Sequence, residues 1–345
     1  MGRSPRRAAA LLIAAALMLG LTGCGGVKNT VTYYTYFDTV TTITYYGSDR
    51  EFTALCAAAE EMMDRYNRAC DIYHEYSGGG NACTLNRMAG KGPVAVMPEL
   101  IEVLAFGQEM HELTGGMCNI AMGAVFSLWH DCREAALAGG RPTLPTDVAL
   151  LEAARHCRID DIRLDRLNGT AELADPDMRV DLGAVAKGYA AERVAMALEE
   201  AGFDHVALNL GGNVRTIGEK SRNTDWVAGI QDPDQAAESA YLLRVSLSDA
   251  SLVTSGSYQR FYEVGGVRYH HIISPKTLYP DNTFVSVTIR AHDSGVADAL
   301  STALFNMSFE DGFNFINRTD GVEACWIDSY GSVRFSQGFR QYVLD

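Results

Sequence analysis

Residues 180–188, "VDLGAVAKG", set Asp181, Gly183 and Lys187 in a run of otherwise apolar and small residues, and a helical pattern follows as far as Gly202. A helix N-terminus presents free N–H groups and partial positive charge, which favours a bound phosphate. Lys187, one turn into the helix, can add a full charge to the same anion, although the spacing is not that of a P-loop. This segment alone leaves open a solvated lysine on an amphipathic helix. "SGVADALSTALF" places Asp298 and Thr302 at i and i+4, on one helical face. Such a pair supplies hard oxygen donors for magnesium, with waters and substrate phosphates completing the shell. Taken in isolation, it equally fits a solvated carboxylate and a hydroxyl bonded back to its own helix. In "GGVRYHHIISPKTLYP", a turn at Gly265 and Gly266 launches a strand on which His270 and His271 face opposite sides, so one of them can enter a cleft. A neutral imidazole is a natural base for a hydroxyl at physiological pH. "LVTSGSYQRFY" adds Thr254, Ser255 and Gly256, read as a turn whose N–H groups and hydroxyls can meet an anion.

These residues need elements to hold them. "TVTTITYYG" (39–47) reads as a strand, and residues 53–68 and 98–113 as helices, the second opened by Pro98 and closed near Gly115. Thr146 caps a further short helix. "HVALNLGGNVRTIGE" reads as two strands around Gly211, Gly212 and Asn213, and the last third alternates strands with one helix over 294–308. "GSDR" and "YSGGGNA" read as loops, and residues 136–147 as a connection between lobes. The pattern predicts an α+β fold with mixed or antiparallel sheets and packed helices rather than a doubly wound parallel sheet.

The N-terminus carries Arg3, Arg6 and Arg7, then a short apolar run ending in "LTGC". Residues 1–23 read as a lipoprotein signal peptide and Cys24 as the lipidated first residue of the mature chain, with 24–30 as tether and 31–345 as the folded domain. More than one acyl chain anchors stably, so the expected location is the extracytoplasmic face of the cell membrane. Loss of three arginines and no acid takes the formal charge from −14 to −17. Such an acidic chain does not suit nucleic acid, and a polyanionic ligand needs a local device. The seven cysteines beyond Cys24 form no Cys-x-x-Cys pair and are expected as free thiols.

In order along the chain, "YFDTVTTITYYG", "TLN", "TGGMCNIAMGAV", "VDLGAVAKGYA", "LNLGGNVRTIG", "VTSGSYQRFYE", "YHHIISPKT" and "VADALSTALF" resemble the ApbE-like family of FAD:protein FMN transferases over nearly all of the mature chain. The resemblance implies a larger and a smaller lobe. It also implies a Mg²⁺-dependent enzyme that takes FAD as substrate, joins FMN by a phosphoester to a Thr or Ser of a partner protein, and releases AMP. By the same resemblance Asp298, Thr302 and the Ala184 carbonyl hold the metal, and Lys187 lies near the FAD phosphates. Asp181, Asn119, Ile120, Ala121 and Ile272 match FAD-contacting positions, as does Phe37 against the flavin, and His271 matches the residue that assists the acceptor hydroxyl. Ser255 joins this set from its own anion-binding stretch. Phe37 and Asp38 stand where many members have methionine and glycine, Ser274 where many have aspartate, and Leu278 where many have glycine. Rival readings of the same residues are an FAD pyrophosphatase giving FMN and AMP, and a flavin-binding lipoprotein without chemistry. "TDGVEACW" puts Glu323 and Ala324 after Asp320 and Gly321, which disfavours self-modification. The expected acceptor is a separate exported or membrane-bound protein of an electron-transport system.

Overall fold

The computed structural model describes residues 27–344 except 235, 236 and 238. The expected signal peptide and Cys24 lie outside the described residues. Among those described, no helix is long and apolar enough to cross a membrane, and all seven cysteines are free.

An eight-stranded sheet organises the chain: β1 (Val27–Tyr36), β2 (Thr39–Gly47), β3 (Val206–Leu210), β4 (Asn213–Ile217), β5 (Ser251–Gly256), β6 (Phe284–Ala291), β7 (Glu323–Asp328) and β8 (Val333–Phe335). Spatial order follows chain order, and every neighbouring pair is antiparallel. β1 already starts at Val27, so residues 27–30 are strand rather than tether. Thr254, Ser255 and Gly256 are also strand, not the expected turn. There a Cβ on Gly256 would meet the Tyr258 ring at 2.7 Å, so this glycine serves close packing and not chain reversal.

Helices fill the crossings. α1 (Asp49–Cys70), α2 (Pro98–Leu113), α3 (Gly123–Leu137), α4 (Asp147–Ala154) and α5 (Ala186–Glu200) lie between β2 and β3; α6 (Ser294–Phe305) lies between β6 and β7. α1 begins four residues earlier than its apolar spacing suggests, because Ser48 and Glu51 form a capping box inside the stretch read as a loop. α2 matches the expected bounds, with Pro98 in its first turn. Thr146 caps α4 through its hydroxyl, 3.2 Å from the Ala149 N–H. A second short helix, Phe309–Ile316, follows α6, and another spans Ala82–Arg87.

The sheet is covered on both faces, as period-two burial shows. Ala324 and Trp326 of β7 enter the main core with α1, α2, α5 and α6, while Cys325 and Ile327 enter a second core beneath the hairpin Trp226–Gln231/Tyr241–Leu247. A third, smaller cluster joins α3 and α4 to the hairpin Phe261–Val264/Val267–His270 through Val125, Trp129, Leu150 and Tyr262. Residues 138–146 therefore connect two helices of one cluster and not two lobes. Tyr262 pins this connection by donating to the Thr143 carbonyl at 3.0 Å.

Candidate functional site

α5 and α6 run antiparallel and touch where Gly188 meets Asp298. A Cβ at Gly188 would lie 2.3 Å from the Ser294 carbonyl oxygen and 2.4 Å from the Asp298 Cβ, so only glycine permits this approach. Gly188 is the third residue of α5, where backbone N–H groups have no partner within the helix, and its N–H donates to Asp298 Oδ2 at 2.8 Å. No backbone donor among the described residues bonds to the Ala184 carbonyl. Lys187 Nζ lies 3.9 Å from the same carboxylate oxygen and 3.5 Å from the Gly183 carbonyl. Burial pushes the Asp298 carboxyl up, against the opposing pull of Lys187, the Gly188 N–H and the Asn213 amide.

Thr302 is one turn beyond Asp298, and Ser255 reaches both Ser301 (2.8 Å) and Thr302 (3.3 Å) through its hydroxyl. A buried carboxylate, a hydroxyl and a backbone carbonyl without a backbone donor are oxygen types suited to Mg²⁺. Asn213 is buried, and its amide faces Asp298.

The Asp181 loop closes on the segment 119–121. Asp181 N–H donates to the Ile120 carbonyl (2.9 Å), Asp181 Oδ1 accepts from Gly183 N–H (2.9 Å), and Asn119 Oδ1 accepts from Ala121 N–H (2.9 Å). Enclosure raises the Asp181 pKa, opposed by Gly183 and by the charges of His130, Arg260 and Lys187. Ile120, Ala121 and Ile272 turn their side chains into the main core, so only their backbone can meet a ligand.

The two histidines separate as the strand period requires. His270 is buried against Phe305, with Nε2 on the Asp281 carbonyl at 2.9 Å. His271 opens to solvent, and its Nδ1 lies 3.2 Å from the Arg260 carbonyl. A carbonyl only accepts, so Nδ1 carries the proton and Nε2 keeps a free lone pair. Protein packed around the ring, followed by the charges of His270 and Arg260, favours the neutral form and holds the His271 pKa below the ordinary histidine value, although the residue as a whole is solvent-exposed.

Phe37 sits at the tip of the β1–β2 hairpin, half-buried, with its N–H on Asn67 Oδ1 at 2.7 Å. Asp38 beside it lines a cavity of about 520 Å³ with Tyr73, His130, Arg133 and Arg260. None of Lys187, Asp298 and Thr302 lines this cavity.

The sequence profile of the ApbE family matches residues 37–326, from the hairpin tip into β7. This chain belongs to the ApbE family. A relative from Treponema pallidum (strain Nichols), named FAD:protein FMN transferase, is 33% identical over 348 residues, spanning 95% of this chain and 94% of that protein. A second of the same name, from Klebsiella pneumoniae (strain 342), is 30% identical over 79% of this chain and 82% of its own. The crystal structure of the ApbE protein of Thermotoga maritima superposes with a TM-score of 0.79 at 27% identity, over 92% of this chain and all of that one. The flavin transferase ApbE of Vibrio cholerae shares the fold, with a TM-score of 0.75 at 24% identity over 92% of this chain and all of its own.

Two departures from the ApbE pattern keep the backbone that glycine would adopt. Asp38 has φ 50° and Leu278 has φ 63°, both left-handed. Ser274 keeps a turn-forming role, its hydroxyl accepting the Lys276 N–H at 3.3 Å. Arg260, His130, Arg133 and Tyr73 were not expected from the sequence. Of these only Arg260 carried a signal, as the one cation in the stretch already read as anion-binding.

Proposed function

We propose that this ApbE protein is a Mg²⁺-dependent flavin transferase that moves FMN from FAD to a Thr or Ser hydroxyl of an acceptor protein and releases AMP. The observation that carries the reading is Asp298, one turn from Thr302, held against the Gly188 N–H and Lys187 at the start of α5, just after an Ala184 carbonyl that accepts no backbone bond among the described residues. Bound there, Mg²⁺ neutralises phosphate charge and polarises the phosphorus for attack.

The chain's own groups supply the rest. Lys187 and the α5 N-terminus hold non-bridging pyrophosphate oxygens. His271 Nε2 takes the acceptor's proton as the hydroxyl oxygen bonds to the FMN-side phosphorus. The bridging P–O bond then breaks and its electron pair leaves on AMP. The backbone of residues 119–121 and Asp181 orients FAD, with Phe37 against the flavin.

Hydrolysis is the runner-up, because His271 is open to solvent and water resembles a hydroxyl to a base. Product analysis separates the two. Transfer gives AMP and flavinylated acceptor in equal amounts, and loses both when Mg²⁺ is chelated or Asp298 is replaced by Ala; free FMN matching AMP means hydrolysis.

We also propose that lipidated Cys24 holds the domain at the extracytoplasmic face. β1 starts at Val27, at most about 11 Å of chain beyond that cysteine. The ten residues of β1 span about 33 Å from Val27 to the hairpin tip at Phe37. That geometry suits an acceptor domain exposed on the same side of the membrane. Cys24→Ser should move the protein from the membrane to the soluble fraction; continued membrane association would remove Cys24 as the anchor.

A further inference from the structure

A second contact between α5 and α6 lies one helical turn from the first. The Ser294 N–H, at the start of α6, donates to Glu192 Oε2 at 2.8 Å, just as the Gly188 N–H donates to Asp298 Oδ2 at 2.8 Å. Gly188 and Glu192 are four apart on α5, and Ser294 and Asp298 four apart on α6, so the antiparallel pair is tied by two rungs at matching pitch.

Glu192 is itself held. Arg215, with 0% of its side chain exposed, places Nε 3.1 Å from Glu192 Oε2 and Nη2 3.4 Å from Oε1. The guanidinium also reaches Glu199 Oε1 (3.0 Å) and Asp249 Oδ1 (3.1 Å), and donates to the Thr216 carbonyl. Arg215 stands two residues after Asn213 on β4, hence on the same face. One strand therefore sets Asn213 beside Asp298 and Arg215 against Glu192.

A buried ion pair of this kind is a weak source of stability compared with apolar packing. Its geometry is specific, however, because a slide of α6 on α5 would break both rungs together. We propose that Glu192 and Arg215 are positioning residues, fixing the register that sets the Gly188 N–H against Asp298 and so holds the Asp298–Thr302 face of α6 against the start of α5. The inference rests on the proposed reading of this cluster as a divalent-cation site.

The test is Mn²⁺ titration of the mature chain with FAD present, read by the electron paramagnetic resonance of free Mn²⁺, alongside melting temperatures without metal. Glu192→Gln keeps an acceptor for Ser294, and Glu192→Leu removes it. The expected result is a graded loss of Mn²⁺ affinity, reaching about tenfold or more for Leu. Glu199→Gln, which touches Arg215 but neither rung, should stay within twofold even if it melts earlier. Should the Leu variant not fold, Glu192→Gln and Arg215→Lys carry the comparison. Folded Glu192 variants that melt earlier but bind Mn²⁺ like the parent would overturn the positioning role alone. A parent that binds no Mn²⁺ would overturn the cation-site reading, and this inference with it.

Discussion

Gly188 gives its N–H to the Asp298 carboxylate at 2.8 Å and not to the carbonyl of Ala184. One hydrogen bond thus satisfies a first-turn N–H and orients a buried carboxylate, while the Ala184 carbonyl just before the helix accepts no backbone bond among the described residues. Because the contact needs a residue without a Cβ, Gly188→Ala must force α5 and α6 apart. Overpacking of this kind costs about 1–3 kcal/mol. The expected outcome is a lower melting temperature together with weaker Mg²⁺ dependence of transfer. A variant that melts earlier yet keeps the parent's Mg²⁺ response would separate the packing from the site.

Asp298 behaves unlike an ordinary paired acid. Its folded pKa is raised, so between the unfolded value near 3.8 and the folded value the native state holds the extra proton. Metal-free stability therefore falls as pH rises through that window. Asp298→Asn removes this slope. Chelator-treated Asp298→Asn should melt no earlier than the parent at neutral pH, while transfer is lost. A markedly earlier melt would mean that the charged carboxylate stabilises the fold by itself.

His271 is held below the ordinary histidine value, so the acid limb of kcat/KM should fall below pH 6.5. Arg260 contributes positive charge to that shift, and Arg260→Gln should move the limb upward. His271→Ala should slow transfer about 10²–10⁴-fold with a smaller effect on FAD binding. Collapse of FAD affinity alone would show a binding role instead.

Asp38 and Leu278, two of the six described non-glycine residues with left-handed backbone, give opposite expectations. Asp38 is exposed at the hairpin tip, so Asp38→Gly relieves φ 50° with no packing lost and should stabilise by up to about 1 kcal/mol in a denaturant melt. Leu278 has φ 63°, but its side chain packs against the Trp129 cluster. Leu278→Gly trades relief for lost packing and should leave the midpoint nearly unchanged. A clear loss at Asp38→Gly would show that the aspartate itself is needed at the turn.

Much of this architecture was written locally. Pro98 and Gly115 bracket α2, Thr146 caps α4, and the spacing of Asp298 and Thr302 is a property of any helix. Other features depended on distant contacts. Gly256 looks like a turn signal but is a strand residue covered by a ring, and α3 begins at Gly123 with no side-chain cap to announce it. The partnership of Gly188 with Asp298 joins residues 110 positions apart. Arg260 comes close enough for its charge to act on Asp181 only because the hairpin of residues 261–270 packs against α3 and α4. Such pairings are products of packing, which local spacing does not encode.

The most direct test of the central claim uses an acceptor domain purified from cells lacking a flavin transferase. It is incubated with the chain beginning after Cys24, FAD and Mg²⁺, and its intact mass is measured with and without EDTA. The account predicts a mass increase of one phosphoester-linked FMN, abolished by EDTA. An acceptor of unchanged mass, with FAD intact or converted to free FMN and AMP, would contradict it.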